Sequence, residues 1–115
     1  MHEYQVTQDI IRSAEEFAAA NGAAEVSAIN LVVGDYSGCV ADSVELYFDL
    51  IAQGTACADA RLTVERVAPK LKCKVCGGYF ERRPFEFTCT REGCGGEGEP
   101  TEIGREFYIR AIEVK

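Results

Sequence analysis

The sequence predicts an α+β fold: a three-stranded sheet covered by two helices, with a small cysteine-bearing module inserted ahead of the last strand. Three observations predict it. Apolar residues recur with a 3.6-residue period near residues 10–18 and 40–51. Runs rich in β-branched residues fall near 25–34, 62–67 and 107–114. Four of the six cysteines form two close pairs between the second and third of these runs. With 115 residues and 47% hydrophobic content, the chain has material for one modest core and a satellite, and is too short for two full domains.

Each element follows from local signals. Thr7 reads as the N-cap of a first helix whose apolar stripe is Ile10, Ile11, Ala14, Phe17 and Ala18, and Asn21-Gly22 ends it. Val26, Ile29, Leu31 and Val33 then mark a strand from Glu25 to Gly34. A loop through Asp35-Tyr36-Ser37-Gly38 leads to a second helix with Val40, Val44, Tyr47, Phe48 and Ile51 on one side, stopped by Gly54. Asp35 reads as a turn residue and Asp42 as an N-cap. Leu62, Val64 and Val67 mark the next strand, closed by Pro69. In the last strand Phe107, Ile109 and Ala111 alternate with Glu106, Tyr108 and Arg110, with Ile112 and Val114 beyond. Each helix has one apolar stripe to bury, so both belong on one face of the sheet. If the strands flanking the module pair with each other, the module sits at the tip of a hairpin. The expected division is residues 1–69 with 101–115 as one α/β domain and 70–100 as the module.

The module's cysteines read Cys73-x2-Cys76, twelve residues, then Cys89-x4-Cys94. Two such pairs have the spacing of zinc-ribbon-like sites, in which four thiolates close a tetrahedron around the ion. Gly77-Gly78, Gly93 and Gly95-Gly96 let the knuckle backbones turn toward the sulfurs. A disulfide framework is the rival reading, and an iron-sulfur or rubredoxin-like carrier would use the same thiolates. No basic segment followed by an apolar run opens the chain, so a reducing, cytoplasmic home is expected. Cys39 and Cys57 lie outside the pair pattern and read as small buried hydrophobes. A catalytic thiol is not expected, because no second histidine could serve as its base, and no paired acid and base suggest an enzyme.

The only histidine, His2, stands in Met1-His2-Glu3. Behind a free α-amine it offers a metal its imidazole, its own deprotonated backbone nitrogen and the Met1 amine. Small fused chelate rings of nitrogen suit square-planar nickel(II) or copper(II) better than zinc or magnesium. The competing reading is a polar, disordered tail. Glu3 either reaches the imidazole as an outer hydrogen-bond partner or lends only its backbone nitrogen and a surface charge; the second is favoured.

Charge narrows the partners. A net charge of −7 argues against binding phosphate backbones, and no stretch approaches a membrane span of about 20 apolar residues. Nucleic-acid binding and membrane insertion are therefore not expected. Arg82-Arg83 beside Phe85 and Phe87 is the best support for the alternative, a zinc-ribbon module for protein or nucleic-acid interaction in which the terminus does nothing. Yet two arginines do not offset the acidic whole.

Met1-His2-Glu3, the loop from Val33-Gly34 to Ser37, Gly54-Thr55, the paired cysteines and Gly104-Arg105-Glu106-Phe107-Tyr108-Ile109 together resemble the HypA/HybF family across the whole chain. The resemblance implies a nickel metallochaperone of [NiFe]-hydrogenase maturation, with urease as a further client of some members. It carries Ni(II) binding onto His2, Glu3 and the Met1 amine, and structural Zn(II) onto Cys73, Cys76, Cys89 and Cys94. It also implies a HypB-type GTPase and the hydrogenase large subunit as partners, and it leaves self-association open. One departure stands out: the family's second pair is usually Cys-x2-Cys, and here it is Cys89-x4-Cys94. A site on a flexible terminus should hold nickel only moderately. Its ligands must lose protons, so binding should weaken below about pH 6.5, where free imidazole titrates.

Overall fold

The computed structural model describes residues 2–83 and 85–115. In chain order the elements are α1 (His2–Ala20), β1 (Val26–Gly34), α2 (Ala41–Ile51), β2 (Arg61–Val67), β3 (Lys70–Cys73), β4 (Tyr79–Glu81), β5 (Gly98–Pro100) and β6 (Phe107–Val114). They form two three-stranded sheets, ordered β2-β1-β6 and β4-β3-β5. The molecule is elongated, 56 × 27 × 16 Å. No helix among the described residues is long and apolar enough to cross a membrane.

Helix α1 begins at His2, a turn and a half before the expected start. Thr7 is no cap. It is fully buried, and its hydroxyl donates to the Glu3 carbonyl one turn back at 2.6 Å, which satisfies it within the helix. The stripe Ile10, Ile11, Ala14 and Ala18 is buried as expected, whereas Phe17 is 43% exposed at the stripe's edge. Asp42 is not a cap either. Val40 holds that position without a side-chain cap, and Asp42, in the first turn of α2, pairs with Arg66 of β2.

The hairpin expectation also fails. β1 takes the centre, parallel to β2 and antiparallel to β6, so the strands flanking the module lie on opposite edges and never pair. Burial explains the choice. β1 buries Val26, Ile29, Leu31, Val32 and Val33, while β2 and β6 have no fully buried residue and serve as edges. The parallel β1–β2 pair needs a crossover, which α2 supplies. Both helices lie on one face, where Ile29, Leu31 and Val33 meet Ile10, Ala14, Val44 and Phe48. In β6 the register slips between the partners of Asn30 and Leu31. This bulge resets the alternation, so Phe107, Ile109, Ile112 and Val114 face the core and Ala111 is left exposed.

One crossing fixes the loop after β1. Gly34 donates its N–H to the Glu106 carbonyl and Tyr36 to the Gly104 carbonyl, each at 2.7 Å, and Asp35 donates to the Val67 carbonyl at 2.9 Å. A Cβ on Gly34 would fall on the Gly104 carbonyl, well inside contact distance, and one on Gly104, at φ +103°, would lie 2.6 Å from Pro69 Cα. The residues leaving β1, leaving β2 and entering β6 are thus clasped together. Beyond the clasp, Leu71, Cys73 and Phe80 bury a small second core with Cys76, Cys89 and Cys94 around it.

Candidate metal sites

The second sheet ends at the cysteines. Cys73 closes β3, and the chain turns back through Gly77 at φ +75°. The amides of Val75 and Cys76 both donate to Cys73 Sγ at 3.4 Å. The longer knuckle absorbs its extra residues in a turn closed by the Cys94 N–H on the Arg91 carbonyl at 3.1 Å, with Gly93 and Gly95 at positive φ. There the Arg91 amide donates to Cys89 Sγ at 3.4 Å. The x4 spacing therefore does not prevent convergence. All four sulfurs lie within 4.8 Å of one another, with Cys73–Cys94 at 3.5 Å and Cys76–Cys89 at 3.8 Å.

Bonds of about 2.3 Å at a tetrahedral angle put thiolate sulfurs about 3.8 Å apart. Two of the cluster's separations are close to that spacing and the rest stay within 4.8 Å, and all six cysteines are free. Its protonation is uneven. The Cys76 amide, with that of Val75, draws the Cys73 thiol down to about 6. The Gly78 amide draws Cys76 down. The Arg91 amide also favours the Cys89 thiolate, but burial and the neighbouring thiols outweigh it and push Cys89 up to about 11. Four sulfurs this close cannot all ionise without a cation among them. The donor set fits zinc, which Cys73, Cys76, Cys89 and Cys94 would hold.

The second candidate site is at the start of α1. His2 is not on a loose tail: it begins the helix, and its Nε2 lies 2.6 Å from the Gly38 carbonyl oxygen, 36 positions away. Glu3 is no plain surface charge. Its side chain is 18% exposed, its Oε2 accepts from the Val40 amide at 3.4 Å, and it lies 3.8 Å from His2 Nε2. A carboxylate from α1 thus serves the uncapped start of α2, as a capping-box glutamate does within one helix. The Met1 amine falls outside the described residues. Sequence reasoning found His2 and Glu3 but neither backbone partner, because carbonyl and amide groups carry no signature of residue type.

Cys39 and Cys57 differ in kind. Cys57 is fully buried beside the Ile11 carbonyl, and burial, then Glu15, push its thiol up to about 11 against the Thr55 hydroxyl. Cys39 is only half-buried, raised by burial and then by Glu3. A raised thiol holds less reactive thiolate at a given pH. In the zinc-loaded native protein at pH 8, iodoacetamide is expected to modify Cys39 slowly and to spare Cys57 until denaturant is added. Peptide mass spectrometry reads both, and equal native rates would contradict the packing described.

Residues 1–114 match the family described as "Hydrogenase/urease nickel incorporation, metallochaperone, hypA". The hydrogenase maturation factor HypA of Caldanaerobacter subterraneus subsp. tengcongensis is 37% identical over 116 residues, covering 100% of both chains. That of Dehalococcoides mccartyi is 34% identical over 114 residues, covering 99% of this chain and 94% of its own. A solution structure of a HypA protein superposes with a TM-score of 0.69 at 25% identity, covering 100% of this chain and 97% of that one. The solution structure of the Ni metallochaperone HypA from Helicobacter pylori shares the fold, with a TM-score of 0.63 at 24% identity over 97% of this chain and 96% of that one.

Proposed function

The chain belongs to the HypA family of hydrogenase and urease nickel-incorporation metallochaperones, and from that premise we propose that it binds Ni(II) at its amino terminus and delivers it for [NiFe]-hydrogenase maturation. Urease is a second client class. The observation that carries the proposal is the contact of His2 Nε2 with the Gly38 carbonyl. A carbonyl only accepts, so Nε2 carries the proton and the free lone pair falls on Nδ1, the ring nitrogen nearest the backbone. Metal-bound histidines are usually fixed in this way, by a carbonyl on the other ring nitrogen.

Nδ1, the backbone nitrogens of His2 and Glu3 and the Met1 amine then make up the nickel ligand set. The first N–H groups of a helix have no acceptor within it, so deprotonating them breaks no helical bond. The positive end of the helix dipole favours the resulting negative nitrogens. The His2 side chain is 61% exposed, so an acceptor can reach the ion. A cargo site must release as well as bind.

Zn(II) on Cys73, Cys76, Cys89 and Cys94 serves structure in this reading, and the paired β3 and β5 that close the second sheet support treating residues 70–100 as a zinc-binding module on a nickel-binding unit of 1–69 and 101–115. The working partners are a HypB-type GTPase and the hydrogenase large subunit, in the cytoplasm. The test is nickel titration of untagged, zinc-loaded protein under non-denaturing mass spectrometry. The native chain is expected to take one nickel, and His2→Ala to lose at least 100-fold in nickel affinity with its zinc retained. Equal nickel binding by the two chains would overturn the assignment.

A further inference from the structure

The chain carries 19 acidic residues against 12 basic ones, yet one cavity reverses that balance. It opens between the two sheets, has a volume of about 310 Å³, and is lined by Lys70, Arg82 and Arg105 without any carboxylate. None of these three cations makes an ion pair among the described residues, although most of the chain's other arginines do. Arg82 is held in place. Its guanidinium lies 5.4 Å from the Tyr36 ring centroid and 5.2 Å from that of Phe87. The two rings hold the guanidinium, and its fork of N–H donors, which has no carboxylate partner among the described residues, can meet one. The floor is apolar, including Leu71 and Ile103.

We propose that this cavity docks an acidic segment of a partner protein, in which an apolar side chain enters the floor and flanking carboxylates meet Lys70, Arg82 and Arg105. Charge complementarity selects the partner: unpaired cations gathered around one cavity attract a negative segment, while the like net charge of −7 on two copies of this chain opposes their association. The lining selects the mode. The cavity, at the low end of small-molecule sites, adjoins a second of about 500 Å³ past Tyr36, Pro69, Arg82 and Phe87. Its apolar floor beside the cations suits an apolar side chain flanked by carboxylates better than a free phosphate. Tyr36 stands two residues from Gly38, whose carbonyl meets His2, so a docked segment would lie on the loop that also holds the amino terminus.

The test uses the full zinc-loaded chain and fluorescein-labelled pentapeptide pools. In one pool a central aromatic or aliphatic residue is flanked by Asp and Glu; in the other it is flanked by Lys and Arg. Fluorescence anisotropy is expected to show the acidic pool binding at least tenfold tighter, and weakening as salt is raised. Arg82→Gln with Arg105→Gln should lower that binding at least tenfold with zinc content and circular dichroism unchanged, whereas Lys115→Gln, far from the cavity, should not. No preference for acidic peptides would overturn the proposal, and so would binding that survives the double substitution. Binding of GTP or inorganic phosphate in place of the peptides, lost in the same double variant, would overturn it in favour of a small-anion site. His2→Ala should leave peptide binding intact, which separates this result from that of the nickel titration.

Discussion

Chelation of zinc at neutral pH is expected to unfold residues 70–100 while the β2-β1-β6 sheet and its helices stay folded. The second sheet has strands of three or four residues, and its buried core is Leu71, Cys73 and Phe80. Strands that short are marginal alone, and units below about 40 residues usually need a metal or disulfides. Structural zinc sites contribute on the order of 10 kcal/mol at pH 7, far more than so small a core can supply. Trypsin should therefore cut after Lys72, Lys74, Arg82 and Arg91 in the chelated protein and spare them in the loaded one. Resistance to trypsin after complete zinc removal would contradict this account. Acid should act in the same direction. The fold draws the Cys73 thiol down from its ordinary value of 9 to about 6, so the thiolate form is favoured on folding. That contribution is fully present above pH 9 and declines as pH falls through about 6. Because protons compete with the metal for the thiolates, zinc release followed by a colorimetric chelator should increase as the solution is acidified.

The second large effect is expected from Gly34→Ala. The new methyl would meet the Gly104 carbonyl, which is backbone, and neither segment can retreat without giving up the hydrogen bonds of Gly34 to Glu106 and of Tyr36 to Gly104. Overpacking of this kind costs about 3 kcal/mol. Gly22→Ala is the control. Gly22 has φ +68° but nothing within 4 Å of a Cβ, so only the left-handed backbone resists, at about 1 kcal/mol. Denaturant midpoints of the two variants measure the difference, and equal losses would show that the clasp is looser than the packing indicates.

The long periodic segments of the fold were legible in the sequence, and the short or relational features were not. Ile10, Ile11, Ala14 and Ala18 announce α1, and the β-branched run announces β1, because burial on one face imposes a period. Strands β3, β4 and β5 are too short to show a period. The start of α1 was missed because Thr7 has the chemistry of a cap and spends it inside the helix instead. Edge order depended on comparing strands: β1 is central because its neighbours are less apolar. Of the candidate sites, the four cysteines were fully legible from spacing. His2 and Glu3 were legible as residue types, but the contacts that orient them come from Gly38 and Val40, in a loop the clasp brings near.

The pairing of Leu71 with Pro100 brings the chain out of the second sheet beside its point of entry, and this bears on the order of assembly. β6 is the last of the elements to leave the ribosome, so β1 must wait with one edge open until β6 arrives, and an open edge is a hazard for aggregation. If the residues between β2 and β6 were a slack loop, closing it would be a slow, non-local step. A metal-clasped module reduces that loop to the few residues on either side of it. Two halvings of loop length remove about 1 kcal/mol of closure entropy, a several-fold gain in the rate at which β6 finds β1. Zinc bound during synthesis would thus shorten the interval in which the other sheet stands unfinished.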